Sequence, residues 1–155
     1  MKKEVITRLR QILGAPAVTE DETDLLVYEC DALTLFKNKP DVVVFPETTD
    51  QVAQIIRVAI ENRIPFVPRG AGTGLSGGAV AMEGGIIIEL QRMSRILSID
   101  PENRIAVVQP GVVNIHISHA ASPYGLYYAP DPSSQMACSI GGNVSENSGG
   151  PHCLK

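Results

Sequence analysis

The sequence lacks an apolar run near the roughly 18 residues that a membrane-spanning helix requires. It also lacks a Cys-x-x-Cys pair. Cys30, Cys138 and Cys153 are widely spaced and form no obvious disulfide framework, which favours a reducing cytoplasm. An excess of basic residues is missing as well, because the net charge is −4. Since phosphate backbones are bound by basic patches, this charge argues against nucleic acid as a partner.

Charge is also scarce in one part of the chain. Between Ile105 and Leu154 the only charged residues are Asp131 and Glu146, whereas the first 104 residues carry nearly all the charge. The composition is that of a globular protein, since 44% of the 155 residues are apolar and 19% are charged. We therefore expect the nearly uncharged part to pack against a core, a cofactor or another domain.

Apolar periodicity predicts alternating helices and strands along the first part of the chain. The predicted elements are a helix over 2–13, a helix opened by a capping box at 19–22 and ending near 28, a strand over 41–45, a helix opened by a capping box at 48–51, and strands over 64–67 and 86–90. Residues 41–67 thus predict a βαβ unit with parallel strands and a right-handed crossover. Farther on, 96–109 predicts a hairpin and 112–121 a helix.

Residues 67–78 read VPRGAGTGLSGG, so that a glycine loop (residues 70–78) directly follows a predicted strand. Gly72–Gly77 matches Gly-x-Gly-x-x-Gly, but the stretch before the next strand is too short and glycine-rich for the helix that a Rossmann turn needs. No Gly-Lys-Ser/Thr follows, which excludes a Walker A loop. A flexible linker is disfavoured because the loop joins strands of one layer. The remaining interpretation is an anion nest of backbone N–H groups, with Arg69 either at its mouth or an ordinary surface arginine.

A second glycine-rich stretch, the Gly-Gly segment (residues 139–150), contains two Gly-Gly pairs. Asn143 and Asn147 are four residues apart and share a face if a helical turn joins the pairs. Two such segments suit a ligand larger than a pyrophosphate, threaded between two layers. The alternative is that the glycines serve tight backbone packing alone.

These motifs carry a family resemblance. Pro68–Gly74 with Ser76–Gly78 resembles the pyrophosphate loop of the vanillyl-alcohol oxidase/PCMH-type FAD-binding fold. Gly125–Ser134 and Ile140–His152 closely resemble the FAD-subunit family of bacterial glycolate oxidase and its D-lactate dehydrogenase relatives. The resemblance implies an α+β fold: the first βαβ subdomain and part of the second subdomain of a PCMH-type FAD-binding domain over residues 40–155, after an N-terminal helical segment over 1–39.

The resemblance also implies FAD as cofactor and oxidation of a small 2-hydroxy acid, glycolate or D-lactate, by hydride transfer from substrate C2 to flavin N5. Thr73 holds a position where some members of the fold attach flavin to a histidine, so non-covalent FAD is expected. The residues expected to bind the cofactor are Pro68, Arg69, Gly70, Ala71, Gly72, Thr73, Gly74, Ser76, Gly77, Pro130, Asp131, Ser134, Ser139, Gly141, Gly142, Asn143, Asn147, Gly149 and Gly150.

The family's FAD domain continues past Lys155 and is followed by a substrate domain that supplies the catalytic histidine and any metal ligands. We therefore expect the chain to be a truncated, N-terminal fragment that contains no catalytic or metal-binding residue and binds FAD weakly or not at all alone. We also expect it either to self-associate through its nearly uncharged part or to leave residues 130–155 poorly ordered. Iron–sulfur and second flavin subunits are the partners that the resemblance implies. The expected location is cytoplasmic, with contact to the inner membrane through those subunits. The alternatives are a non-catalytic FAD- or nucleotide-binding module and an inactive fragment.

Histidine and tyrosine side chains offer further candidates. His116 and His119 are three residues apart on a predicted helix, but no carboxylate or cysteine nearby completes a metal site. His152 follows the second Gly-Gly pair, where it either approaches the flavin or substrate or is an ordinary loop residue. Tyr127 and Tyr128 either line the ring pocket or serve packing.

Overall fold

The computed structural model describes residues 1–153, which fall into two compact units with a boundary between Arg92 and Met93. The first unit contains α1 (Lys3–Leu13), β1 (Val18–Thr19), α2 (Glu22–Leu26), β2 (Val42–Val44), α3 (Thr49–Asn62), β3 (Phe66–Arg69) and β4 (Ile86–Glu89). The second contains β5 (Ile96–Asp100), β6 (Ile105–Val108), α4 (Asn114–Ala121) and α5 (Ile140–Ser145). In the part of the chain that the structure describes, no helix is long and apolar enough to cross a membrane.

The sheet of the first unit has the order β1-β2-β4-β3. β2 and β3 both run parallel to β4, as the predicted βαβ unit requires, while β1 is an antiparallel edge. β4 lies between β2 and β3, so the two strands joined by α3 are not neighbours. The carboxyl ends of the three parallel strands therefore lie along the same edge of the sheet, where open α/β sheets bind ligands.

Both faces of this sheet are buried, which explains why its strands are continuous apolar runs. One face packs against α1 and α3, and the other against α2 and the chain that follows the glycine loop. The first face buries Val42, Val44, Ile86 and Ile88 with Val5, Leu9, Ile55 and Val58, and the second buries Val43 and Ile87 with Leu25 and Ala81. Apolar burial on both sides makes this sheet the rigid support of the loop that follows β3.

One helix start agrees with its predicted cap and another does not. Thr48 and Gln51 form the complete capping box of α3. The predicted box at 19–22 is wrong, because the N-cap of α2 is Asp21, whose side chain accepts from the N–H groups of Thr23 and Asp24. Thr19 instead belongs to β1, where pairing with β2 holds its backbone extended.

The strand predicted at 64–67 begins two residues later. α3 ends at Asn62 and is capped by Arg63 in the left-handed conformation, and the N–H of Ile64 still donates to the carbonyl of Ala59. The chain is thus free to pair with β4 only from Phe66, and this register continues to Arg69 opposite Glu89. The glycine loop consequently starts at the last paired residue of β3.

The second unit is built on the predicted hairpin. β5 and β6 pair antiparallel, and the carboxylate of Asp100 closes the turn by accepting from the backbone N–H and side-chain amide of Asn103 at 3.0 and 2.7 Å. A small core of Val112, Ile117 and Ile140 joins the hairpin to both helices. This core positions the start of the Gly-Gly segment.

Candidate functional site

The glycine loop presents a run of unused backbone donors at the carboxyl edge of the sheet. Within residues 1–153, the N–H groups from Ala71 to Leu75 donate to no backbone or side-chain acceptor. Gly72 has a φ of 68°, a left-handed conformation that side chains other than glycine rarely adopt. Consecutive free N–H groups in such a turn form a concave surface that attracts anions.

Arg69 lies beneath this loop and is not a surface arginine, since its exposed fraction is 7%. Its Nη1 donates to the carbonyl of Ala79 at 3.0 Å, and its guanidinium lies 5.4 Å from the ring centroid of Tyr28. A Cβ atom at Gly72 would be 2.4 Å from Nη2 of Arg69. The missing side chain of Gly72 therefore allows the loop to lie directly against the buried positive charge.

Glu89 is the buried acid beside Arg69 in the β3–β4 register. Burial raises the pKa of Glu89 to about 7, and Arg69 opposes that rise more weakly. Near neutral pH the carboxyl group is thus only partly ionised. The positive charge of Arg69 is only partly balanced by Glu89, which favours an anion at the glycine loop.

In the second unit, part of the Gly-Gly segment is explained by close packing. The N–H of Gly141 donates to the carbonyl of Pro110 at 2.8 Å, and a Cβ at Gly141 would be 2.8 Å from Cβ of Pro110. A Cβ at Gly150 would be 2.3 Å from the carbonyl oxygen of Asp131. Both glycines are therefore required by neighbouring backbone, whatever ligand is present.

Asn143 is not explained in this way. Its side chain is buried, and its Nδ2 has no hydrogen-bond partner among the described residues. A buried amide left without a partner costs about 1–3 kcal/mol, so this atom suits a ligand acceptor. The condition for Asn143 and Asn147 to share a helix face is not met, because α5 ends at Ser145 and Asn147 has a φ of 52°. Asn147 lies outside the helix and is exposed.

The stretch that contains Pro123, Pro130 and Pro132, here called the proline-rich path (residues 123–134), is tied to its surroundings at two points. Nδ2 of Asn114 donates to the carbonyl of Pro130 at 2.9 Å, and Asn114 is fully buried. Asp131 accepts from the backbone N–H of His152 at 3.2 Å, and Nδ1 of His152 lies 2.6 Å from the other carboxylate oxygen. The carbonyl of Ser134 accepts from the N–H groups of Ala137 and Cys138. The structure thus brings Asp131, Gly150 and His152 together.

The expected cofactor residues fall into both units. The first unit holds Pro68, Arg69, Gly70, Ala71, Gly72, Thr73, Gly74, Ser76 and Gly77 in β3 and the glycine loop. The second unit holds Pro130, Asp131, Ser134, Ser139, Gly141, Gly142, Asn143, Asn147, Gly149 and Gly150. Residues that the sequence did not indicate are Tyr28 and Asp31, which contact Arg69 and the glycine loop, and Asn114. These three residues lie outside the glycine loop and the Gly-Gly segment and belong to no sequence motif.

The other candidates have ordinary surroundings. The rings of His116 and His119 are 6.2 Å apart, and among residues 1–153 no group of three or more His, Cys, Asp or Glu side chains could hold a metal. Tyr127 and Tyr128 line an open, mainly apolar cavity of about 470 Å³ together with Ile117. The ring of Tyr127 also packs edge-on against His152.

Comparison with known proteins identifies the family to which this glycine loop belongs. Residues 40–155 match the family described as FAD binding domain. The chain belongs to this FAD binding domain family. FAD contains a diphosphate, and the free N–H groups at 71–75 above Arg69 fit such an anion.

Curated relatives are named as 2-hydroxy-acid enzymes. The chain is 49% identical over 154 residues to glycolate oxidase subunit GlcD of Escherichia coli strain K12. This match covers 99% of the chain and 31% of that protein. It is 36% identical to D-lactate dehydrogenase of Anaerostipes hadrus, and this match covers 98% of the chain and 32% of that protein. It is also 36% identical to D-2-hydroxyglutarate dehydrogenase of Stutzerimonas stutzeri strain A1501, and that match covers 94% of the chain and 32% of the relative. The chain spans about a third of the length of these relatives.

Solved structures agree on the fold. The 4-ethylphenol oxidase of Gulosibacter chungangensis superposes with a TM-score of 0.79 and 28% identity, covering 91% of this chain and 28% of that one. An alkyldihydroxyacetonephosphate synthase superposes with a TM-score of 0.87 at 21% identity, covering 97% of this chain and 33% of that one. At this identity the match supports the fold alone. The expected α+β, PCMH-type FAD-binding fold is confirmed.

Proposed function

We propose that the chain is the FAD-binding portion of a flavin-dependent 2-hydroxy-acid dehydrogenase or oxidase that acts on glycolate or D-lactate. The observation that carries this proposal is the row of free N–H groups at 71–75 above the buried Arg69. The names of the relatives support the substrate class. When bound, FAD would supply a hydride acceptor at N5 for oxidation of substrate C2, and the hydroxyl proton would pass to a base.

The chain's own residues bind and orient the cofactor. The free N–H groups and the charge of Arg69 hold the diphosphate, and Gly72 permits its close approach. In the second unit, Nδ2 of Asn143 is a buried donor without a partner among the described residues. Thr73 offers a hydroxyl where a histidine would attach the flavin covalently, so we propose that FAD is held without a covalent bond.

We retain the division into an N-terminal segment over 1–39 and an FAD-binding part over 40–155 as a proposal, although α1 packs on α3 and β1 pairs with β2. The name of the Escherichia coli relative as a subunit supports partner subunits, for which we propose iron–sulfur and second flavin proteins. The free thiols of Cys30, Cys138 and Cys153 support a cytoplasmic location.

The deciding experiment uses the protein that the complete gene encodes, purified and inspected for a flavin spectrum. Anaerobic glycolate and D-lactate are then added separately, with L-lactate as control. We expect bound FAD that is bleached by glycolate or D-lactate but not by L-lactate. Bound FAD that neither acid bleaches would favour the non-catalytic module, and absence of flavin after added FAD would contradict the proposal.

A further inference from the structure

The glycine loop is supported by a strap (residues 29–38) from outside the residues that match the family. The strap is closed at its base, where the N–H of Asn38 donates to the carbonyl of Glu29 at 2.8 Å and Nζ of Lys37 lies 2.8 Å from the Glu29 carboxylate. At the same base, Nδ2 of Asn38 donates to the carbonyl of Ala81 at 2.5 Å. The strap thus reaches the chain just after the glycine loop.

Asp31 makes the central contact. Its exposed fraction is 5%, and both carboxylate oxygens are used. Oδ2 accepts from the N–H of Gly77 at 2.8 Å, and Oδ1 accepts from the N–H of Leu33 at 2.9 Å. Beside it, the N–H of Ala32 donates to the carbonyl of Gly74 at 3.1 Å.

These contacts hold one side of the loop and leave the other side to a ligand. The strap accepts from Gly77 and donates to the carbonyl of Gly74, whereas the N–H groups of 71–75 stay without acceptors in the described chain. A buried carboxylate close to an anion site is electrostatically unfavourable for the anion. This repulsion is compensated if the strap orders the loop before the ligand binds, because the entropic cost of ordering the loop then no longer weakens binding.

We propose that Asp31 is a positioning residue for the cofactor: by holding Gly77 it fixes the glycine loop in the conformation that directs the N–H groups of 71–75 at the diphosphate. This inference rests on the proposed FAD site. It adds a residue to that site which lies outside the matching region and does not itself touch the cofactor.

The test compares Asp31→Asn with Asp41→Asn in the complete gene product. Asparagine cannot supply both acceptors, so the bond to Gly77 or to Leu33 is lost. Asp41 is the matched control, because its Oδ2 accepts from the N–H of Gly85 at 2.8 Å in the same unit but away from the glycine loop. FAD affinity is measured by titration, and amide hydrogen exchange of residues 70–78 is measured without FAD.

We expect Asp31→Asn to weaken FAD binding at least about tenfold, or ~1.4 kcal/mol, and to accelerate exchange in 70–78, while Asp41→Asn leaves both within about twofold of the parent. Unchanged affinity and exchange in Asp31→Asn would overturn the inference while leaving the FAD site intact. A parent that binds no FAD would overturn the proposed function and the inference with it. If Asp31→Asn does not fold, Asp31→Glu, which keeps a carboxylate but displaces it by one methylene group from the N–H of Gly77, is measured in the same way.

Discussion

His152 and Asp131 are joined by two contacts, one from the backbone N–H at 3.2 Å and one from Nδ1 at 2.6 Å. They close a stretch of 21 residues and hold the end of the Gly-Gly segment against the proline-rich path. The hydrogen bond from His152 is the main reason why the pKa of Asp131 is lowered below its ordinary value. An acid with a lowered pKa stabilises the fold above its unfolded pKa and loses that contribution as the pH falls through its folded pKa.

The first prediction concerns this pair. In His152→Ala the pKa of Asp131 should rise toward the ordinary value of about 3.9, because the variant lacks the side-chain hydrogen bond that lowers this pKa most. Carboxyl-carbon NMR during an acid titration measures it. Asp100 is the internal control, since its pKa is lowered by Asn103 and should stay low in the variant. An Asp131 pKa that does not move would contradict the contact.

The second prediction concerns Glu89, whose pKa burial raises to about 7 from 4.5. Between these values the unfolded chain is ionised while the folded chain keeps its proton, so the free energy of unfolding falls as the pH rises. Glu89→Gln removes this loss and retains an acceptor for the N–H of Gln91. Urea unfolding should show almost no gain at pH 4 and a gain of about 3 kcal/mol at pH 8. Glu83→Gln, at an exposed site, is the control, and an equal gain at both pH values would refute the assignment.

The third prediction concerns Gly72. Gly72→Val should lower FAD affinity in the complete gene product at least about tenfold, or ~1.4 kcal/mol, because the new side chain collides with Arg69 and strains a positive φ. Gly14→Val separates the two effects. Gly14 also has a positive φ of 83°, but its Cβ would meet only Pro16 at 3.9 Å. The control should lose stability and keep its FAD affinity, and an unchanged affinity in Gly72→Val would refute the diphosphate assignment.

The fourth prediction concerns attachment of the flavin at Thr73. Acid precipitation of the FAD-loaded protein should release all flavin into the supernatant, because a threonine hydroxyl does not form the histidine linkage of other members of the fold. Absorbance of the supernatant and the washed pellet measures the split. Flavin that stays with the pellet would show a covalent link.

The fifth prediction concerns self-association of the 155-residue chain. The hairpin of the second unit exposes Leu97, Ile105 and Val107 by 56%, 54% and 47%, and apolar clusters of this kind favour association. Sedimentation should detect dimers or larger species. Ile105→Thr with Val107→Thr should shift them toward monomer, whereas Leu26→Thr with Val27→Thr, at exposed apolar sites of the first unit, should not. A monomeric parent would contradict the proposed association.

Much of the first unit could be predicted because its signals are local. The capping box of Thr48 and Gln51 involves neighbouring backbone, and the apolar stripe of α3 follows the helical period. The strands of the sheet are apolar runs because both faces are buried. The glycine loop was recognisable because its glycines cluster directly after a strand, and two of them, Gly72 and Gly77, take a positive φ.

Other features were decided by tertiary structure alone. No local pattern places β4 between β2 and β3, since strand order depends on which segments pack together. Asp31 is 46 residues from Gly77, and Arg69 turns beneath Gly72 because Tyr28 and Ala79 receive its guanidinium. The sequence by itself thus determined the elements and the anion-binding loop. The support of that loop, its buried charge and the unpartnered Asn143 depend on distant groups that come together only when the core is packed.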